Sequence, residues 1–169
     1  MGDASNSITS RALTATDLAA YRALHRIALQ HAAAAFADTP ELDAARPDAE
    51  VAAMLDRGEA WGAFRDGALI AKIVMDAMPY PAFAHVRWLH AVFVHPDARG
   101  TGAGAALIRA AMAAHREAGA IVFQLWVNSE NAPAIGLYER LGFREIGRAP
   151  KGIRIGERYV DDVLMSLIP

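Results

Sequence analysis

Val92-Phe93-Val94-His95-Pro96-Asp97-Ala98-Arg99-Gly100-Thr101-Gly102-Ala103-Gly104 is the stretch whose reading decides the fold. It runs from an apolar strand end, through a polar corner broken by Pro96, into an alternating glycine run that opens an alanine-rich helix. Gly100, Gly102 and Gly104 let the backbone turn tightly and present N–H groups with no Cβ in the way. A helix start carries unpaired N–H groups and roughly half a positive charge, so this corner is built to hold an anion such as phosphate. Arg99, a planar donor fork, adds to that pull.

Working outward, Ala103 to Ala118 carries Leu107, Ile108, Ala111, Met112 and His115 on one helical stripe and stops at Gly119. Ile121 to Val127 is a nearly continuous apolar run, the pattern of a strand covered on both faces. A strand, helix and strand in succession predict parallel pairing with a right-handed crossover between the strands ending at Val94 and Val127. If the two diverge near their ends, they leave a slot walled by free backbone groups.

Upstream, Val86 to Val94 reads as one long strand, and Ala60 to Phe64 with Ala68 to Met75 as a hairpin closed by Asp66-Gly67. Ile8 to Ala12 is a short first strand. Thr14 and Asp17 form a capping box opening a helix with Leu18, Tyr21, Leu24 and Ala28 on one face, running toward Phe36 and interrupted at Asp38-Thr39-Pro40. Pro47 suits the first turn of a second helix bearing Val51, Met54 and Leu55. Downstream, Asn131 caps a helix from about Ala132 to Leu141, and a second hairpin follows: Phe143 to Gly147, a Pro-Gly loop through Gly156, then Arg158 to Ile168. The fold class is α/β of the α+β type, a mixed, mainly antiparallel sheet flanked by helices around one parallel βαβ unit. Residues 1–7 read as a flexible tail and 8–169 as a single domain.

The 169 residues are 54% hydrophobic with a formal net charge of -2, too little positive charge to neutralise many phosphates of a nucleic acid. There is no cysteine, which removes disulfides, a thiolate nucleophile and a Cys-based zinc site. The histidines show no His-x-x-x-His pair with a neighbouring glutamate, so no metal is expected, and His115 reads as a surface residue of the crossover helix. No signal peptide or membrane span is apparent, and the expected location is cytoplasmic.

Arg99-Gly100-x-Gly102-x-Gly104 after Val94-x-Pro96 resembles the acetyl-CoA site of the GNAT N-acetyltransferase superfamily. Asn131-Ala132-x-Ala134-Ile135-x-Leu137-Tyr138-Glu139-x-Leu141-Gly142-Phe143 is similar to the second cofactor element of that superfamily, one helix and one strand downstream. The resemblance implies transfer of an acetyl group from acetyl-CoA to a primary amine of a small molecule or peptide through a ternary complex. It implies cofactor contacts from Arg99, Gly100, Thr101, Gly102, Ala103, Gly104 and Asn131, with the pantetheine arm in the slot and a backbone N–H around Phe93 or Val94 for the oxyanion. Tyr138 matches the tyrosine acid of the family. Many relatives carry a glutamate base where Trp88 stands; in its place the sequence offers His90, two residues on and on the same strand face, or a water chain to solvent. Tyr159 and Asp161 are expected to wall the acceptor side.

Two other readings compete. Gly100-x-Gly102-x-x-Ala105 formally fits a Rossmann dinucleotide fingerprint, but the Pro96 loop separates strand from first glycine and the next strand ends without an acidic residue. The domain would alternatively bind acyl-CoA as a sensor or scaffold and do no chemistry. Exposed sheet edges would permit a homodimer.

Overall fold

The structure, a computed structural model, describes residues 7–32 and 38–168. Asp66 and Gly67 set the register of its sheet. Their φ values of 51° and 78° are the two left-handed conformations a two-residue hairpin turn requires. They join β2 (Ala60–Arg65) to β3 (Ala68–Asp76), and β1 (Thr9–Ala12) pairs antiparallel with the outer side of β2. β4 (Val86–Val94) returns antiparallel to β3. The helix α4 (Ala103–Glu117) then crosses over to β5 (Val122–Asn128), which lies parallel to β4. α5 (Ala132–Arg140), β6 (Arg144–Ile155) and β7 (Arg158–Leu167) complete a seven-stranded sheet in the order β1-β2-β3-β4-β5-β7-β6. Among the described residues only the β4–β5 pair is parallel, as the βαβ reading requires.

The helices divide between the two faces. On one, Leu107, Ile108, Ala111 and Met112 of α4 pack on Ile73, Met75, Leu89, Phe123 and Leu125, and Tyr138 and Phe143 join the same cluster. On the other, Tyr21 of α1 (Leu18–His31) and Val51 and Leu55 of α3 (Asp48–Asp56) pack with Leu13, Ala60 and Val74. Leu24 and Ala28 of α1 meet Phe93 of β4. The Thr14 N–H donates to Asp17 Oδ2 at 2.9 Å, anchoring the short 3-10 turn that leads into α1.

Several local expectations change. α1 ends at His31 with Ala32 as its C-cap, and Asp38-Thr39-Pro40 is a helix start: Thr39 Oγ1 accepts the Leu42 N–H at 3.3 Å and caps α2 (Pro40–Ala45). Pro47 sits one residue ahead of α3, as its N-cap. The expected run of α1 toward Phe36 lies in part outside the described residues, as does nearly all of the expected tail. β5 is not covered evenly on both faces: its burial alternates along the strand. Phe123, Leu125 and Val127 are buried, whereas Trp126 is 46% exposed. Finally, the Pro150-Lys151-Gly152 segment does not end β6. It is a two-residue bulge, with pairing at Ala149↔Asp162 resuming at Ile153↔Val160, and an edge strand accommodates a proline there. Among the described residues no helix is long and apolar enough to cross a membrane.

Phe123 has 0% exposure at the centre of the α4-side cluster. Phe123→Ala is expected to lower unfolding stability by about 3–5 kcal/mol in urea denaturation, since the surrounding helix and strands relax only partly into the cavity.

Candidate functional site

The site begins where β4 and β5 part. Their parallel pairing covers Val86↔Val122, Arg87↔Phe123 and Trp88↔Gln124 and then stops, although both strands continue, to Val94 and Asn128. Opposite β3, pairing passes from Val74↔His90 to Lys72↔Phe93, so β4 carries one extra residue between His90 and Phe93. Ala91 absorbs it with a φ of 52°. Beyond the bulge, the His95 N–H donates to Ile70 O at 2.8 Å. Strand alternation then directs the Phe93 N–H toward β3 and the Val94 and Val92 N–H groups away from it, into the space β5 has left. Of the two residues expected to offer an N–H here, the geometry selects Val94. The Phe93 side chain is a buried core residue beside Leu24 and Ala28.

The mouth of this slot is the start of α4. Pro96–Ala98 forms a 3-10 turn, Thr101 Oγ1 donates to Ala98 O at 2.7 Å, and Gly100 and Gly102 take φ values of 75° and 85°. An added Cβ at either glycine would meet nothing within 4 Å, so the requirement there is conformational rather than steric. Gly104 is the opposite case: a Cβ would stand 3.1 Å from Val94 Cγ2. Its absence lets the helix start lie directly against the end of β4. The first intrahelical bond runs from Ala106 N to Gly102 O, so the N–H groups of Ala103, Gly104 and Ala105 have no partner within the helix. No side chain caps this end and its first turn holds no acidic residue; α2 and α5 are capped by Thr39 and Asn131, while α1 and α3 also lack a side-chain cap. The Arg99 guanidinium is exposed, with its Cζ 5.9 Å from the Phe93 ring centroid.

Tyr138 lies on α5, 6% exposed, its ring edge-on to Phe143 at 5.8 Å. Burial pushes its hydroxyl up to about 12. Asn131 caps α5, its Oδ1 accepting the Ala134 N–H at 3.2 Å; the cap engages only the oxygen, and the amide nitrogen takes no part in it. His90 is exposed on the face opposite α4, and its Nε2 lies 2.8 Å from Asp76 Oδ2. With a carboxylate at Nε2, a neutral ring keeps its hydrogen there and its lone pair on Nδ1. Asp161 Oδ1 accepts the Lys151 N–H at 3.0 Å and thereby holds the β6 bulge, while Tyr159 is 57% exposed.

Three features escaped the sequence reading. Asp76 ends β3 as an ordinary polar residue, and only the antiparallel register brings it to His90. Lys72 stands alone in the apolar run from Leu69 to Met75, a signal that in hindsight marks a buried amine. It is fully buried, its Nζ donates to Ala91 O at 3.1 Å, and it lies 5.0 Å from the Tyr21 ring centroid. The third is a cluster of His25, Asp38 and Asp43, whose ligand atoms lie within 4.8 Å of one another. Arg22 reaches Asp43 Oδ1 at 3.2 Å and Arg46 reaches Asp38 Oδ2 at 3.1 Å, so guanidinium groups already meet these carboxylates. His115, expected at the surface, is half-buried instead: Arg87 Nε donates to its Nδ1 at 3.3 Å and its ring faces Trp61. The helix stripe it shares with Met112 turns it toward the sheet.

Comparison with known proteins gives this geometry a context. The acetyltransferase (GNAT) family model matches residues 27–143. An uncharacterized N-acetyltransferase of Methanocaldococcus jannaschii is 47% identical over 57 residues, 34% of this chain and 25% of that protein. An L-methionine sulfoximine/L-methionine sulfone acetyltransferase of Pseudomonas paraeruginosa is 39% identical over 79 residues, 46% of this chain and 45% of that protein. The chain thus aligns with less than half the length of either relative. The structure of yncA from Salmonella typhimurium, solved with its cofactor acetyl-CoA, superposes with a TM-score of 0.82 at 22% identity, covering 96% of this chain and 94% of that one.

Burial lowers the Lys72 amine from 10.5 to about 7, outweighing the pull of Asp43 and Asp38 toward the charged form. Between those two values the unfolded chain binds the proton and the folded chain does not, so this group makes stability rise with pH across that window, by at most about 1.4 kcal/mol per pH unit. The urea midpoint is expected to climb from pH 7 to pH 9 more steeply in the unaltered protein than in Lys72→Met. Parallel slopes would contradict this.

Proposed function

The chain belongs to the GNAT acetyltransferase family, and from that premise we propose that it transfers the acetyl group of acetyl-CoA to a primary amine of a small molecule or peptide by direct attack, with both bound in one domain spanning 8–169. The observation that carries the reading is the coincidence of two backbone features at one place. An uncapped helix N-terminus stands against the end of β4, at the mouth of a gap between parallel strands that pair over only three positions. A diphosphate suits the first and an amide-bearing arm suits the second. In this reading Gly100, Thr101, Gly102, Ala103 and Gly104 present N–H groups to the diphosphate, Arg99 adds its charge, and the Asn131 amide nitrogen and the Val92 and Val94 backbone line the arm.

Acetyl-CoA supplies a thioester, and the residues around the slot meet the remaining demands. An alkylammonium of pKa about 10.4 must lose a proton before it attacks, and His90 Nδ1, with Nε2 held by Asp76, is placed to take it. The oxygen that gains charge as the amine adds to the carbonyl meets the Val94 N–H, a fixed donor in a partly dehydrated site. As the C–S bond breaks, the departing sulfur draws a hydrogen bond from Tyr138. A phenol held near 12 cannot fully protonate a thiolate whose acid lies at about 8.5 without an uphill step. The role that fits Tyr138 is therefore stabilising the sulfur anion while solvent supplies the proton. The Pseudomonas relative is named for two amino-acid acceptors, which supports a small primary amine as the acceptor here.

Four outcomes test this reading. Gly102→Glu is expected to stay folded but to lose acetyl-CoA binding by more than about 100-fold in calorimetry, since a carboxylate would enter the helix N-terminus. Gly102→Asn, which tolerates a positive φ, should retain most of it. Tyr138→Phe should lower kcat about 10-fold or more with acetyl-CoA affinity unchanged, whereas an equal loss of affinity would make the tyrosine structural. His90→Gln should lower kcat by about 100-fold or more, read as CoA release with a panel of amines. Tight binding of acetyl-CoA without amine-dependent release would instead support a sensor.

A further inference from the structure

We propose that Lys72 is a positioning residue for acetyl transfer, its Nζ holding the Ala91 carbonyl and thereby keeping β4 in the bulged path that turns the Val92 and Val94 N–H groups into the slot. The proposal rests on reading that slot as the seat of the acetyl-CoA arm.

The bulge needs an external hold. Ala91 is neither glycine nor asparagine, so its φ of 52° is disfavoured by its own Cβ and is not chosen locally. The extra residue of a bulge is also left out of the ladder, which leaves a carbonyl in need of a donor. Lys72 provides it across the sheet, Nζ to Ala91 O at 3.1 Å. The register puts the lysine where it can do so: Lys72 pairs with Phe93 and Val74 with His90, so these two β3 residues bracket the bulge.

The surroundings argue that this bond is the reason an amine is buried here. Lys72 is wholly enclosed, and an apolar side chain would occupy the same volume without dehydrating an amine. Among the described residues, the groups facing it include the Tyr21 ring and His25 from α1, and the Asp38 and Asp43 carboxylates from α2 and the residues leading into it. The two carboxylates favour the ammonium, and Arg22 and Arg46 hold them in place. The neutral amine also has an N–H to give, so the bond to Ala91 survives titration near pH 7. One chain of contacts therefore joins α1 and α2 to the β4 backbone at the slot.

The experiment compares the unaltered chain with Lys72→Met, Lys72→Met/Ala91→Gly and Lys72→Gln, following thermal unfolding, the backbone amide resonances of Ala91 to Val94, and acetyl-CoA affinity by calorimetry. Lys72→Met is expected to unfold cooperatively at the same or a higher temperature, yet to shift or broaden those four amides and bind acetyl-CoA about tenfold more weakly. Glycine at position 91 adopts a positive φ freely, so the double variant should recover most of the lost affinity. Lys72→Gln, which keeps comparable volume and a donor, supplies folded material if the methionine variant does not. Amides unmoved in folded variants, with affinity within about twofold, would overturn the proposal. If the unaltered chain itself took up no acetyl-CoA, the acetyl-transfer reading would fail, and the amide resonances alone would decide whether Lys72 holds the bulge.

Discussion

The functional architecture depends on one broken pairing. β4 and β5 share a parallel ladder for three positions and then separate, so a sheet that is otherwise continuous from β1 to β6 has a gap in its middle. Backbone N–H groups facing such a gap must find partners elsewhere, which makes the gap a site for a ligand that can supply them. Beyond the last parallel pair, the bulge at Ala91 adds a residue to β4. Antiparallel pairing with β3 resumes beyond the bulge, so β4 stays anchored on one side while it is free on the other.

The two faces of the sheet then do different work. The α4 side is the larger apolar cluster and holds the glycine-rich turn against the end of β4, where the missing side chain of Gly104 sets the approach. The opposite side carries the polar groups: the His90–Asp76 pair in the open, and Lys72 with the His25–Asp38–Asp43 cluster beneath α1. Donor and acceptor are thus read as meeting across the plane of the sheet, with β4 as the element both must touch.

Much of this was legible from residue order. The hairpin at Asp66-Gly67, the strand Val86–Val94, the crossover helix and the parallel pair follow from turn chemistry and periodicity, which act over a few residues. What stayed hidden depends on register between distant segments. Nothing in Ala91-Val92-Phe93 signals a bulge, because an alanine with positive φ is held by Lys72, nineteen positions away. Asp76 meets His90 only once β3 and β4 are aligned. Trp126 looks like a core residue until burial along β5 proves to alternate. Pro150-Lys151-Gly152 has the composition of a loop, and the Asp161 carboxylate turns it into a bulge within a strand. The glycine run after Pro96 was readable because its demand is local: positive φ at Gly100 and Gly102, close approach at Gly104.

Amide hydrogen exchange with and without acetyl-CoA reads the backbone groups assigned to the ligand. The account predicts slowed exchange at Val92, Val94 and Gly102 to Ala105, with β1 and β6 unchanged. Protection confined to other segments, or none at those residues under saturating acetyl-CoA, would contradict it.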